Sequence, residues 1–307
     1  MKKFTVTVGI PAYNEQKNIE ALLLSLFEQK QLSFDLTEII VYLDASTDNT
    51  EKIVKQICNK FPIVKLIKGN SQKGKYYRVN QILRMTRTQG IVILDADIVL
   101  VGNEFLENLV KVLIQDSRAL LVAAHQEMFR PKNFIGKIIY TNFLHWDYIR
   151  LSIPGLHSGT NYYGSATAYR GSFARSIKIP ATTNDPHFYL YLSADKSGGF
   201  RYCRSAKMKQ WPISTFQDLK KFCKRSLGKP DITLTKIFGQ EHIDTATHVN
   251  LKSKIIGTLR CLLSEPFFMP LSLLILFYIH YASARTVDSN SRWEVVSSTK
   301  QTLKNSI

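Results

Sequence analysis

From Phe4 to Ala124 short strand-like runs alternate with segments of helical periodicity, and this alternation restricts the chain more than any other feature. Phe4 to Ile10, Glu38 to Leu43, Ile63 to Ile67, Ile91 to Leu94 and Ala119 to Ala124 read as strands, rich in Val, Ile, Leu and Thr. Between them, apolar residues recur three and four apart. Ile19, Leu22, Leu23, Leu26 and Phe27 form one stripe; Ile53, Val54, Ile57, Cys58 and Phe61 form a second. Val79, Ile82 and Leu83 belong to a third, and Leu106, Leu109, Val110 and Leu113 to a fourth, with Asn103 placed to cap its helix. Such an order predicts an α/β fold with a mainly parallel, doubly wound sheet covered by helices on both faces. In an open sheet of that kind, ligands bind outside the carboxyl ends of the strands.

Those ends carry the chemistry. The run Ile91-Val92-Ile93-Leu94 stops on Asp95-Ala96-Asp97, two carboxylates one residue apart. The pair suits a hard divalent cation, Mg²⁺ or Mn²⁺, arriving with a substrate phosphate; Asp is also common in turns after strands. The first strand ends in Pro11-Ala12-Tyr13-Asn14-Glu15 and the second in Asp44-Ala45-Ser46-Thr47-Asp48. Independent turn chemistry explains each one alone better than all three together. No G-x-G-x-x-G follows the first strand, and Lys73-Gly74-Lys75 has too little glycine for a phosphate loop, which argues against a dinucleotide or P-loop site.

Taken together, Ile10-Pro11-Ala12-Tyr13-Asn14-Glu15, Asp44-Ala45-Ser46-Thr47-Asp48 and Asp95-Ala96-Asp97 resemble the nucleotide-sugar signature of family 2 glycosyltransferases, with Lys73-Gly74-Lys75 and Asn80 similar to the connecting helix. The resemblance covers roughly the first hundred residues. It implies the A-type nucleotide-diphospho-sugar transferase fold and an inverting reaction. Pro11, Ala12, Tyr13 and Glu15 would line the nucleoside pocket, and Asp44 would accept a hydrogen bond from the base, most often uracil in this family. Lys75 and Ala96 would lie near the nucleotide. Asp95 would face the ribose or the metal, and Asp97 would ligate the Mg²⁺ or Mn²⁺ bridging the diphosphate. Tyr13 packed in the core and Lys75 solvated are the plainer readings of those two residues. Ala45 departs from the family's usual Gly; because Ala favours φ below zero, a slightly different turn is expected there.

The second half is less regular. Phe143, Trp146, Tyr148, Tyr162 and Tyr163 read either as packed core or as an acceptor cleft whose aromatic faces suit sugar rings. In Thr183-Asn184-Asp185-Pro186-His187, Asp185 has the position of a helix N-cap and Pro186 that of the first helical residue. The resemblance implies that Asp185 is also the general base; Asn184 stands where the family has Glu. Lys221-Phe222-Cys223-Lys224-Arg225 replaces the Q-x-x-R-W of processive polysaccharide synthases, so a non-processive enzyme is expected.

Forty-one Lys plus Arg against 24 Asp plus Glu gives a net charge of +17, which favours anionic partners. No nucleic-acid module accompanies it. The four cysteines have no metal-binding spacing, in keeping with a reducing compartment. Lys2 and Lys3 are followed by no apolar signal core, so the chain reads as not exported. Pro266 to Ala284 carries no formal charge and reads as a membrane-associated helix, either a single span or an interfacial segment. The expected organisation is a nucleotide-sugar half over 1–125, an acceptor and base half over 126–250, a membrane-associated segment over 251–285 and a polar tail over 286–307. The expected function is transfer from a nucleoside-diphosphate sugar, UDP-linked, to a hydroxyl of a lipid-linked or surface glycan at the cytoplasmic face of a membrane. The alternatives are transfer to a polyprenyl phosphate, a catalytically silent sugar-nucleotide-binding protein and, on charge alone, a nucleic-acid binder.

Overall fold

The computed structural model describes residues 3–156, 158–226, 231–285 and 299. The first half is built from β1 (Phe4–Ala12), α1 (Ile19–Phe27), β2 (Phe34–Leu43), α2 (Thr50–Lys60), β3 (Val64–Lys68), α3 (Lys75–Met85), β4 (Gly90–Leu94), the two-residue β5 (Val99–Leu100), α4 (Phe105–Gln115) and β6 (Leu121–Met128). The second half adds α5 (Phe134–Arg150), β7 (Ala166–Arg170), α6 (Gly171–Ser176), α7 (Pro186–Asp195), β8 (Phe200–Gln210), α8 (Phe216–Ser226), α9 (Ile232–Phe238), α10 (Gln240–Thr247), α11 (Leu251–Ser264) and α12 (Phe268–Arg285).

Among the described residues, eight strands join one sheet in the order β3-β2-β1-β4-β7-β6-β8-β5. The expectation of a mainly parallel sheet holds for β3, β2, β1 and β4. Beyond β4 it needs correction. β7 runs antiparallel to both β4 and β6, β8 runs parallel to β6, and β5 is antiparallel to β8, so the sheet is mixed. β6 and β4, both antiparallel to β7, point the same way. The carboxyl end of β6 therefore lies on the same edge as Asp95. The reversal at β7 left no mark in the hydrophobic pattern, because Ala166 to Tyr169 is buried as fully as a parallel strand would be.

Helices cover both faces, as the stripes predict. On one, Leu22, Leu23 and Leu26 of α1, Val54 of α2 and Leu106, Leu109 and Val110 of α4 pack on Val8, Ile10, Val41 and Val92. On the other, Val79, Ile82 and Leu83 of α3 and Leu190 and Leu192 of α7 pack on Ile40, Ile91 and Ile93. Gly9 lets α3 come close: a Cβ there would collide with Ile82 and Ile93. That approach brings the first turn of α3, with Lys75 and Tyr76, to the carboxyl ends of β1 and β4. The cap of α4 is shifted from the expected Asn103; Glu104 precedes the helix and caps it with no side-chain hydrogen bond.

The uncharged run after Glu265 does form a helix, α12, packed on α5: the Phe268 ring lies beside Phe134, and Ile275 packs with Ile139 and Phe143. The spanning alternative is not met: no helix among the described residues is long and apolar enough to cross a membrane. The expected polar tail over 286–307 lies outside the described residues, Thr299 apart.

Candidate active site

The site begins at the end of β4. Asp95 and Asp97 leave the sheet half-buried, while Ala96 between them points into the core, 4% exposed. The Asp95 N–H donates to Ser165 O at 2.8 Å, which fixes the turn against the start of β7. The Lys75 ammonium lies 2.6 Å from Asp95 Oδ1, with both side chains largely sheltered from solvent. Lys75 is thus an ion-paired residue of the site rather than a solvated lysine.

The next residue of α3 continues the arrangement. The Tyr76 hydroxyl and the His187 ring share a hydrogen bond, the two rings edge to face with centroids 4.9 Å apart. His187 lies on the first turn of α7, two residues beyond Asp185, and its ring fills the space beside Gly164, where a Cβ would strike it. Asp95, Lys75, Tyr76, His187, Gly164 and Ser165 therefore close a circuit of contacts joining the end of β4 to the helix that carries Asp185. Asn80 supplies a second tie across the same gap, its side-chain amide exchanging hydrogen bonds with the Ile179 backbone at 2.9 Å each way.

Asp185 is the N-cap of α7, as its sequence context predicts. Its Oδ1 accepts the Phe188 N–H at 2.9 Å, and Pro186 is the first helical residue. The residue keeps access to solvent, yet protein atoms crowd around its carboxyl group. Burial raises its carboxyl above the ordinary range, and the nearby Asp231 charge adds to this; the amides of Phe188 and His187 pull the other way. A carboxylate raised towards working pH is a better proton acceptor than an ordinary one.

Asp44, at the end of β2, is 4% exposed and heavily engaged. Its Oδ1 accepts the Lys73 N–H at 2.9 Å and Arg78 Nε at 2.7 Å, and its Oδ2 accepts the Gly74 N–H at 2.7 Å. Arg78 is itself buried, lies over the Tyr42 and Tyr77 rings and donates to Ser71 O, so Asp44 and Arg78 together fold the 69–74 loop onto the sheet. Pro11 and Ala12 end β1 beside Asp44, whose N–H donates to Ala12 O at 2.9 Å. Tyr13 is half-buried. Glu15 is 7% exposed, its N–H donating to Thr50 Oγ1 at 2.8 Å and its carbonyl receiving Asn18 and Ile19 N–H at the start of α1.

Ala45 corrects an expectation. It sits at φ 57°, in the left-handed region, so the turn keeps the backbone that Gly would adopt and the Ala side chain bears the strain. The flanking contacts over-determine it: Asn14 N–H donates to Ser46 Oγ, and Thr47 N–H to Asn14 Oδ1 at 2.8 Å.

Of the second-half aromatics, Tyr162 belongs to the core, packed edge-on against Phe200 and beside Tyr191, whereas Trp146 is partly exposed. Midway along β6, His125 hydrogen-bonds the Tyr202 hydroxyl at 2.5 Å. Beneath them Arg150, fully buried, reaches Asn161 at 3.0 Å, Tyr202 at 2.9 Å and Asp147. Sequence reasoning missed Arg78, Tyr76 and Asp231. Only Asp231 carried a local signal, an Asp immediately before Ile232-Thr233-Leu234 that reads as a helix cap; the partners of all three are distant in sequence.

Residues 7–176 match the sequence pattern described as glycosyl transferase family 2, more than half of the chain. The chain belongs to that family. A 104-residue stretch is 31% identical to an uncharacterised glycosyltransferase of Mycoplasma pneumoniae, the MG025 homolog; the match covers 34% of each chain, so this chain spans about a third of that relative's length. Among solved structures, the fold is similar to the mannosyltransferase PcManGT from Pyrobaculum calidifontis in complex with GDP-Man and Mn²⁺, at a TM-score of 0.55 and 18% identity, covering 94% of this chain and 77% of that one. It is also similar to S. aureus TarS 1-349 in complex with UDP, at a TM-score of 0.50 and 18% identity, covering 87% and 72%. At such identity these likenesses speak to the A-type glycosyltransferase fold, which the family 2 chain shares.

Proposed function

We propose that this family 2 glycosyltransferase is an inverting, metal-dependent enzyme that moves a sugar from a UDP-sugar to an acceptor hydroxyl. The observation that carries the reading is the closed circuit from Asp95 and Lys75 through Tyr76 and His187 to the Asp185 helix, which couples a donor end to a base end. Two half-buried carboxylates at one strand end fit Mg²⁺ or Mn²⁺, which are held by one or two carboxylates plus substrate phosphates rather than by an all-protein cage. No group of three or more His, Cys, Asp or Glu among the described residues forms such a cage. Asp95 and Asp97 would hold the ion, and the ion would neutralise charge on the leaving diphosphate. Lys75, beside Asp95, would add its own charge there. Asp185 would take the proton from the attacking hydroxyl.

The base preference rests on counting lone pairs. A carboxylate accepts about four hydrogen bonds, and three sites on Asp44 are already filled by Lys73, Gly74 and Arg78. One remains, on Oδ2. That suits the single N–H of a uracil edge better than the two adjacent donors of guanine. A thermal-shift screen of UDP- and GDP-sugars, with Mn²⁺ or with chelator, tests both points, since a ligand bound only by the native state raises its stability. UDP-sugars raising the Tm only with metal supports the reading; GDP-sugars alone doing so contradicts the base assignment.

Asn184 favours one second reading, a silent sugar-nucleotide-binding protein, because the loop's own second acid is missing. Donor turnover with added metal separates the two.

The proposal extends to location at the cytoplasmic face of a membrane, with a lipid-linked or surface glycan as acceptor. Ser253, Gly257 and Cys261 of α11 are buried against the protein, while Leu251, Ile255, Leu259 and Leu263 form an exposed stripe continued by Phe267, Leu274 and Phe277. Lys252, Lys254 and Arg260 stand exposed beside it. An apolar stripe edged with cations suits an anionic lipid surface. Flotation with phosphatidylglycerol vesicles, lost in Leu259→Glu/Leu263→Glu, supports this; binding that survives the double substitution contradicts it.

A further inference from the structure

The loop before α7 has Asn184 in the place of an acid, yet a second carboxylate does lie against it. Asp231, the residue before α9, sends its Oδ2 to Thr183 Oγ1 at 2.5 Å, to Asn184 N–H at 2.6 Å and to Asp185 N–H at 3.1 Å. Its Oδ1 accepts the N–H groups of Thr233 at 2.9 Å and Leu234 at 3.1 Å. A helix cap needs only the Oδ1 contacts. Every Oδ2 contact goes to the loop that carries Asp185. Thr233 strengthens the same junction, its hydroxyl donating to Thr182 O at 3.1 Å. Burial pushes the Asp231 carboxyl up, but the hydrogen bonds from Thr183, Asp185, Leu234 and Asn184 outweigh it and hold the group below the ordinary range, so it remains an anion.

We propose that Asp231 is a positioning residue of the transfer reaction, holding the Asn184–Asp185 backbone from α9 so that Asp185 keeps a fixed place at the cleft, and supplying the second negative charge that Asn184 lacks. The inference rests on Asp185 being the base. It makes α9, a segment well beyond the 7–176 family match, part of the working site. The contacts are charge-assisted and shared by two elements, which is the arrangement that holds a reacting group within a fraction of an ångström.

Asp231→Ser separates the two halves of the role. Serine still caps α9 but is too short to reach the loop. Amide hydrogen exchange at Asn184 and Asp185 should quicken by at least ~10-fold while α9 and the sheet keep their protection. With Mn²⁺ and the fastest of UDP-glucose, UDP-galactose and UDP-N-acetylglucosamine, kcat for UDP release should fall by ~10²-fold, the scale of a misplaced reacting group, with donor KM unchanged. In an Asp185→Asn background the same substitution should cost nothing more, because Asp231 acts through Asp185. Unchanged exchange at 184 and 185, or an equal loss in both backgrounds, overturns the proposal. If Asp185→Asn itself keeps the parental rate, the base assignment fails, and the exchange experiment still decides whether Asp231 holds the loop. Asp231→Asn, which keeps the size and the cap but presents no second acceptor oxygen, answers the same questions if the serine variant does not fold.

Discussion

Lys75 and Asp95 form an ion pair of 2.6 Å at the mouth of the site, the one on the first residue of α3 and the other just past β4. The pair holds a cation where a diphosphate is expected, with its charge balanced until the donor arrives. Lys75→Met keeps the length of the side chain and removes the charge. Loss of one charge-assisted contact to phosphate is worth about 1.5–3 kcal/mol, so UDP affinity in Mn²⁺ should fall by roughly 10–100-fold by titration calorimetry. Affinity equal to the parent would place the diphosphate elsewhere.

Ala45 is held at φ 57° without the freedom of glycine. The left-handed region costs an L-residue roughly 1–2 kcal/mol, partly offset in a Gly variant by greater unfolded-state entropy. Ala45→Gly should therefore raise the unfolding free energy by about 1 kcal/mol in urea, with an unchanged m-value. A destabilised variant would show that the turn is not strained.

His125 is 6% exposed and its pKa is lowered from 6.5 to about 4, first by burial and then by the Arg150 charge, with Glu127 opposing. The folded state thus binds the proton less readily than the unfolded chain. Stability from this group is complete above the unfolded value and is lost as pH falls from about 6.5 towards 4, by up to about 3 kcal/mol. His125→Gln should flatten the stability profile in that window in denaturant titrations at stepped pH. An equally steep profile in the variant would assign the acid loss to other groups.

The strand ends were legible because their chemistry is local. Asp44, Asp95 and Asp97 each follow an apolar run, and periodicity alone put the helices on both faces. Asp185 was legible as a cap for the same reason. What the sequence hid was direction and partnership. β7 is buried nearly as fully as the parallel strands of the same sheet, so nothing local reveals its reversal. Arg78 reads as an ordinary basic residue on a helix until the fold carries it onto Asp44, 34 positions away. Asp231 reads as a cap, and only the packing of α9 shows its second oxygen turned to Asp185. The uncharged run before Arg285 reads as long enough for a membrane span, but composition could not show that Phe268 and Ile275 would be spent on α5.

The central claim is that Asp185 removes a proton in a transfer whose donor is held at Asp95 and Asp97. The most direct measurement is UDP release from a turned-over UDP-sugar in Mn²⁺ by Asp185→Asn, beside its UDP affinity. Asparagine keeps the size and still caps α7, so folding and donor affinity should stay near the parent's. The rate should fall by ~10²–10⁴-fold, the usual loss when a general base is removed. Turnover at the parental rate, with UDP still bound through Mn²⁺, would contradict the account.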